Sequence, residues 1–312
     1  MRGPTMGTHY EVKWATARPG AVPEASVRAE VDRVLDAVDE AFSTWNEASV
    51  LSRFNAHRST EPFPIPEAHR AAFRAVFALA AEVVERTGGA FDPTLKPLLD
   101  VLGFSERDAD PPSATDRDAA LARTGWRSVR LDDEGLLHKE IPDLALTFDS
   151  FVPGWAADRI ADAIVGLGAI GCMVDVGGEI VCRGHKPDGE PWVIGIERPA
   201  PPGAPTVVHQ RLSFTGGLAT SGTYRNVRMV DDRLMHHVLD PRTGENVAHP
   251  WAAVSVLADS AALADALATA FLVLGPDGAA PVVDGWRDRG VRALFLGFPD
   301  DTGRVAERRL SW

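Results

Sequence analysis

Apolar positions recur at helical spacing in four long stretches of the chain. Val27, Val31, Val34, Leu35, Val38 and Phe42 keep a period near that of the α-helix and predict an amphipathic helix over 25–42. A second helix is predicted over 68–86, stopped by Thr87-Gly88-Gly89, whose glycines suit a helix C-terminus. Ile160, Ile164 and Leu167 mark a third over 154–167. The fourth signal is the strongest: Asp259 or Ser260 is a candidate N-cap, and Leu263, Leu267, Phe271 and Leu274 follow along one stripe as far as Gly275. Short helices are expected around Leu51 and Phe54 and over 114–124. Alternating or short apolar runs predict strands at 8–16, 128–131, 145–148, 192–198, 210–215, 217–221, 227–229 and 252–257. Two more strands flank the Gly177-Gly178 break, and another ends at the His236-His237 pair. The stretch 88–104 is punctuated by proline and reads as a loop, and the acidic 106–112 as an exposed excursion. Helices and strands mix without strict alternation, which favours α+β over a doubly wound sheet. Residues 1–312 are expected to form one domain.

Composition narrows the function. The 312 residues are 45% hydrophobic and 24% charged, the balance of an ordinary globular protein with ample core. Lys and Arg total 32 against 44 Asp and Glu, a formal charge of −12. Such acidity argues against nucleic-acid or anionic-membrane partners, since neither polyanion would be attracted. An anionic small ligand would need locally placed cations or a metal. Cys172 and Cys182 are the two cysteines, too few for a zinc site or a disulfide framework, and are expected to be buried thiols in a reducing cytosol. The N-terminus lacks an apolar signal region and no run reaches the length of a membrane span, so a cytoplasmic protein is expected.

Several residue patterns carry chemistry. Asp265 and Thr269 lie four apart and share one face of the fourth helix. A carboxylate and a hydroxyl so placed offer two hard oxygens to Mg²⁺, which takes a few protein oxygens together with phosphate and water. On spacing alone a second reading stands beside this one, with Asp265 solvated and Thr269 bonded back to its own helix. His237 beside Asp240 has the form of a base oriented by a carboxylate, and equally of a structural histidine at a strand end. Trp45, set among Ser43, Thr44 and Asn46, is oddly placed for a core residue. The glycines at 88–89 and 177–178 lack the spacing of a dinucleotide or P-loop fingerprint.

In sequence order the chain carries PTMGTHYEV, FSTWN with LSRFN, TGGAFDPT with PLLDVLGF, GWAADRIADAI with VDVGGEI, LATSGTYRN, HHVLDPRTG and ADALATAFLVLG. This series, from Met6 to about Gly275, closely resembles the ApbE family of FAD:protein FMN transferases. The resemblance implies a T-fold-like α+β domain, a mixture of sheet and helices with a flavin cleft. It also implies FAD as substrate, Mg²⁺ as cofactor, and a partner protein whose Thr or Ser flavinylation motif receives FMN as AMP leaves. Carried over by motif, Met6, Trp45, Ala90, Phe91, Asp92, Pro153, Arg159 and Leu239 stand at FAD-contact positions. Asp265, Thr269 and the carbonyl of Ala156 match the metal ligands, and His237 matches the family histidine linked to catalysis.

The chain departs from the family between Thr147 and Ala156. A frequent glycine pair is replaced by Asp149-Ser150 and a frequent lysine by Pro153, which removes a cation that could meet the phosphates. Arg159, one turn on, is the candidate to restore the charge. Thr223 stands where relatives often carry Asp, and Trp45 where they usually carry Tyr. Two other readings therefore accompany transfer: an FAD pyrophosphatase releasing FMN and AMP, and a flavin-binding protein without catalysis or one recruited to another substrate.

Overall fold

The computed structural model describes residues 1–104, 113–201, 203–224, 226–230 and 233–312, and the expected excursion at 106–112 lies outside them. Strands β1 (Arg2–Thr5) and β2 (Thr8–Ala15) precede helices α1 (Glu24–Phe42) and α2 (Val50–Ala56). Next come β3 (Phe63–Pro64), α3 (Glu67–Arg86), α4 (Lys96–Val101), α5 (Ala114–Leu121), β4 (Val129–Leu131), β5 (Leu136–Lys139) and α6 (Val152–Gly166). Then follow β6 (Gly171–Val176), β7 (Glu179–Gly184), β8 (Val193–Glu197), β9 (Val208–Ser213), β10 (Gly216–Gly222), β11 (Val227–Val230) and β12 (Arg233–His236). The chain closes with β13 (Trp251–Ala258), α7 (Ala261–Gly285), β14 (Arg292–Pro299) and β15 (Val305–Leu310). Two compact units emerge, one of Met1–Ala37, Phe151–Tyr224 and His249–Trp312, the other of Val38–Ser150 and Arg225–Ala248.

The first unit is built on an eight-stranded sheet in the order β1-β2-β6-β7-β10-β13-β14-β15, antiparallel at every pairing. Helices α6 and α7 pack against it and against each other. Alternation along β6 and β7 sends neighbouring side chains to opposite faces. Cys172 turns toward α6, where its thiol meets the Ala161 carbonyl at 3.8 Å. Cys182 joins Met173, Trp192, Ile194, Leu218 and Leu294 in the core of the other face. Both thiols are free and buried, and burial pushes each up to about 12.

Helix α7 is more than the predicted stripe. As far as Phe271 it is buried almost all round, with Ala264, Ala266, Ala268 and Ala270 as inaccessible as Leu263 and Leu267, where the sheet and α6 pack against it. It also resumes beyond Gly275 (φ 66°, ψ 174°), with Pro276 opening a second helical segment. The expectation that no run reaches spanning length is thereby corrected: by length and composition α7 could cross a membrane, yet its apolar surface faces the protein's own core. The apolar strand β14 and the largely exposed, charged strand β15 extend the sheet beyond the elements predicted.

In the second unit Phe42, Phe73, Phe77, Phe148 and Trp126 form an aromatic core with ring centroids 4.8 to 6.4 Å apart. The loop expected over 88–104 contains two helical turns instead. Asp92 caps a 3₁₀ turn, Pro93–Leu95, that runs into α4, and Pro93 and Pro97 occupy first-turn positions where a missing N–H costs nothing. The strand expected at 145–148 has no ladder. Leu146 exchanges both backbone groups with the Asn55 side-chain amide at 2.8 Å, so a side chain takes the place of a neighbouring strand. The third strand of the small sheet is β5, which pairs with both β3 and β4. On it Lys139 is buried, donating to the Phe54 and Leu144 carbonyls at 3.3 and 3.0 Å, and desolvation lowers its amine to about 8.

Candidate active site

In the first unit the predicted metal residues lie on two helices that pack together, Ala156 on α6 and Asp265 and Thr269 on α7. Ser260 caps α7, its Oγ accepting the Leu263 N–H at 3.3 Å, and one turn on Asp265 is 6% exposed. Asp265 Oδ2 accepts the Gly154 N–H of α6 at a long 3.4 Å, and no basic side chain among the described residues pairs with it. Burial, and then the negative charge of Glu179, push its carboxyl well above the usual range. Thr269 Oγ1 lies 3.3 Å from Ser221 Oγ on β10, and Ala156 is wholly buried in α6. The packing is tight enough to require glycine at 154, since a Cβ there would stand 2.5 Å from the Ala261 carbonyl oxygen. A buried carboxylate with one weak donor and an acidic neighbour is poorly compensated, and a divalent cation would compensate it. The described residues hold no cluster of three His, Cys, Asp or Glu for a metal, so a cation here would rely on few protein ligands, as Mg²⁺ does.

Two carboxylates near this point escaped the sequence reading. Asp158 Oδ1 accepts the Ala261 N–H and Oδ2 the Ala262 N–H, at 3.1 and 3.0 Å, and Arg183 reaches Oδ1 at 3.1 Å. Glu179, the last residue of VDVGGE, supplies the charge felt by Asp265. Their sequence signal was weak, because Asp158 is one of three charged residues in α6 and Glu179 opens β7 beside a glycine turn.

The other predicted residues of this unit are Met6, Pro153 and Arg159, and Pro153 directly precedes the Gly154 that donates to Asp265. Met6 sits at the tip of the β1–β2 hairpin, 42% exposed, with φ 45° followed by Gly7 at φ 69°. A left-handed two-residue turn suits a hairpin, but methionine at its first position is strained, a cost that often marks a ligand contact. Pro153 is in the first turn of α6, which tolerates its missing N–H. Arg159 is paired with Asp162 at 2.6 Å and lies over the Trp155 ring at 5.9 Å. Its charge is therefore partly offset, which weakens it as a replacement for the missing lysine.

The second unit holds the remaining candidates. Trp45 is 78% exposed in the turn after α1, held by a backbone bond from its N–H to Ser43 Oγ. An indole this exposed contributes little to the core and offers an open face for stacking. The Asp92 carboxylate is already satisfied: Oδ1 accepts from the Thr94 backbone and hydroxyl at 2.8 and 2.7 Å, and Oδ2 from the Trp126 N–H at 3.1 Å. Ala90 and Phe91 are buried, and Leu239 packs with Leu98, Leu102, Ala120 and Met235. These four positions would meet a ligand through backbone groups. A cavity of about 500 Å³ in this unit is lined by Asn55, Arg58, Lys96, Asp100, Arg123 and Asp143, and includes none of them.

His237 differs from the expected arrangement. Asp240 does not orient it, because that carboxylate is taken by Arg242 in a bidentate pair at 2.8 and 2.6 Å. Instead Nδ1 lies 3.3 Å from the Asn226 carbonyl, which can only accept, so Nδ1 carries the hydrogen and Nε2 the lone pair. Burial lowers the ring's pKa, outweighing the opposing effect of that bond, and keeps the imidazole neutral at neutral pH. The geometry leaves Nε2 as a base, with Phe104 edge-on to the ring at 6.4 Å.

A comparison with protein-family models matches residues 6–295 to the ApbE family. The chain belongs to that family. The FAD:protein FMN transferase of Klebsiella pneumoniae strain 342 is 35% identical over 300 residues, 94% of this chain and 83% of the relative. The apo crystal structure of the Pseudomonas stutzeri flavinyl transferase ApbE superposes with a TM-score of 0.84 at 34% identity, covering 99% of this chain and 93% of the other. The Vibrio cholerae flavin transferase ApbE gives 0.84 at 32%, covering 100% and 96%. The α+β expectation is borne out by these ApbE structures, and relatives named as transferases over most of the chain make it an enzyme of that class.

Proposed function

We propose that this ApbE protein is a Mg²⁺-dependent FAD:protein FMN transferase that moves FMN to a Thr or Ser hydroxyl of a partner protein and releases AMP. The observation that carries the metal dependence is Asp265, a buried carboxylate with no cationic partner among the described residues, one turn along the same helix from Thr269. The flavin reading rests on the named relatives and on the exposed indole of Trp45. Asp265, Thr269 and the Ala156 carbonyl would hold Mg²⁺, which supplies charge neutralisation for a diphosphate when bound. The chain's own residues do the rest. His237 Nε2 accepts the proton of the attacking hydroxyl as its oxygen bonds to the FMN-side phosphorus, and the phosphorus–oxygen bond to AMP breaks. Trp45 stacks on a ring of the dinucleotide, and the buried backbone at Ala90-Phe91-Asp92 and Leu239 lines its path. Met6, Pro153 and Arg159 complete the FAD contacts.

Incubation with FAD, Mg²⁺ and a protein bearing a flavinylation motif, followed by mass analysis, tests the reading. AMP together with an acceptor heavier by one FMN supports transfer. AMP with free FMN would make the protein a pyrophosphatase, and intact FAD would leave it a binding protein.

A further inference from the structure

Helix α7 begins inside the protein, so its first N–H groups need partners other than water. Ser260 serves Leu263, while Ala261 and Ala262 are served from outside the helix by the two oxygens of Asp158 on α6. The tie is reciprocal, because the Gly154 N–H of α6 points to Asp265 of α7. Each helix therefore presents a carboxylate to the first turn of the other, where a Cβ on Gly154 would stand 2.5 Å from the Ala261 carbonyl oxygen. Arg183 of β7 holds the Asp158 carboxylate from the sheet side, with its Nε 3.9 Å from Asp162.

From these contacts we infer that Asp158 is a positioning residue that sets the register of α6 against α7 and thereby the affinity of the cation site. Along a helix the rise is about 1.5 Å per residue, so Asp265 lies about 6 Å beyond the capped Ala261 and Ala156 about 3 Å before Asp158. The lock is within one turn of ligands on both helices, and a stiff helix passes a slide at its end undiminished to Asp265. Asp158 touches neither ligand nor reacting atoms; it acts through the helix it caps. An amide at this position would keep one acceptor, turn an N–H group toward another N–H group, and leave Arg183 without its buried counter-charge. Outer-shell partners of this kind change metal affinity by about 10- to 100-fold.

The inference rests on the metal reading above, and the test separates the two. Mn²⁺ alone is titrated into wild type, Asp158→Asn and Asp265→Ala by calorimetry or electron paramagnetic resonance, and the Mg²⁺ dependence of AMP release is measured beside it. Asp158→Asn is expected to bind Mn²⁺ about 10- to 100-fold more weakly and to raise the apparent KM for Mg²⁺ by the same factor, with kcat at saturating Mg²⁺ kept within about threefold. Unchanged Mn²⁺ affinity with a lower kcat would overturn the inference, since a purely structural cap lowers the active fraction and leaves KM alone. If Asp158→Asn does not fold, Asp158→Glu carries the same test, because its longer arm keeps the charge and the cap but shifts the helices. Should Asp265→Ala bind Mn²⁺ as wild type does, the cation site itself is misplaced and the inference falls with it.

Discussion

Replacing Asp265 by asparagine should stabilise the metal-free protein while abolishing its response to Mg²⁺. The carboxylate is 6% exposed, has one donor among the described residues, at 3.4 Å, and faces the charge of Glu179. Its folded pKa is raised, so the native state is penalised at pH values above the unfolded pKa and recovers as pH falls toward it. An inadequately partnered buried polar group costs about 1–3 kcal/mol, and more when charged. The isosteric amide removes the charge and keeps an acceptor for Gly154, so a gain of about 1–3 kcal/mol at neutral pH is expected, shrinking toward acid pH. For a unit of this size that is roughly 2–12 °C in Tm. Mg²⁺ at one thousand times its Kd should add about 4.1 kcal/mol to wild type and nothing to the variant, reversing their order. Differential scanning fluorimetry in EDTA and across a Mg²⁺ titration measures both effects. A variant less stable than wild type in EDTA, or one raised equally by Mg²⁺, would refute the reasoning.

Other substitutions follow from the same geometry. His237→Asn should lower FMN transfer by about 10²- to 10⁴-fold with FAD affinity nearly unchanged in equilibrium dialysis, and undiminished turnover would exclude it as the base. Because burial lowers the ring's pKa, the acid limb of the pH–rate profile should fall below the ordinary histidine value of about 6.5, and a limb above it would contradict the assignment. Trp45→Ala should weaken FAD binding by about 1–3 kcal/mol, read by fluorescence titration, while Tm stays within a degree or so, as expected for a side chain outside the core. Lys139, lowered to about 8, binds fewer protons folded than unfolded between that value and the ordinary lysine pKa, so stability contributed there rises with pH. Urea unfolding should show that rise in wild type and lose it in Lys139→Met.

The parts legible in the sequence were those governed by local pattern. The periodicity of α1 and α3, the Ser260 cap and the glycine break between β6 and β7 appear as read, because each depends on residues within a few positions, and in α6 Ile160 and Ile164 are buried while Leu167 caps the helix end exposed. The misreadings have non-local causes. At 145–148 an apolar run has the Asn55 amide where a strand would lie, and 88–104 contains helical turns because Asp92 caps what its prolines seem to interrupt. His237 was matched to the nearest carboxylate in sequence, but Asp240 has an arginine two residues away and the ring turns to Asn226. Asp158 was invisible for the same reason: its partners at 183, 261 and 262 are distant in the chain and meet only across the sheet and helices.

Crystals grown with FAD and soaked in Mn²⁺, examined by anomalous scattering at the manganese edge, test the central claim most directly. The account predicts a single strong peak bonded to Asp265, Thr269 and the Ala156 carbonyl at about 2.0–2.3 Å, with the remaining positions filled by diphosphate oxygens and water. A diphosphate bound with no peak at these two side chains, or with manganese held by other residues, would contradict it.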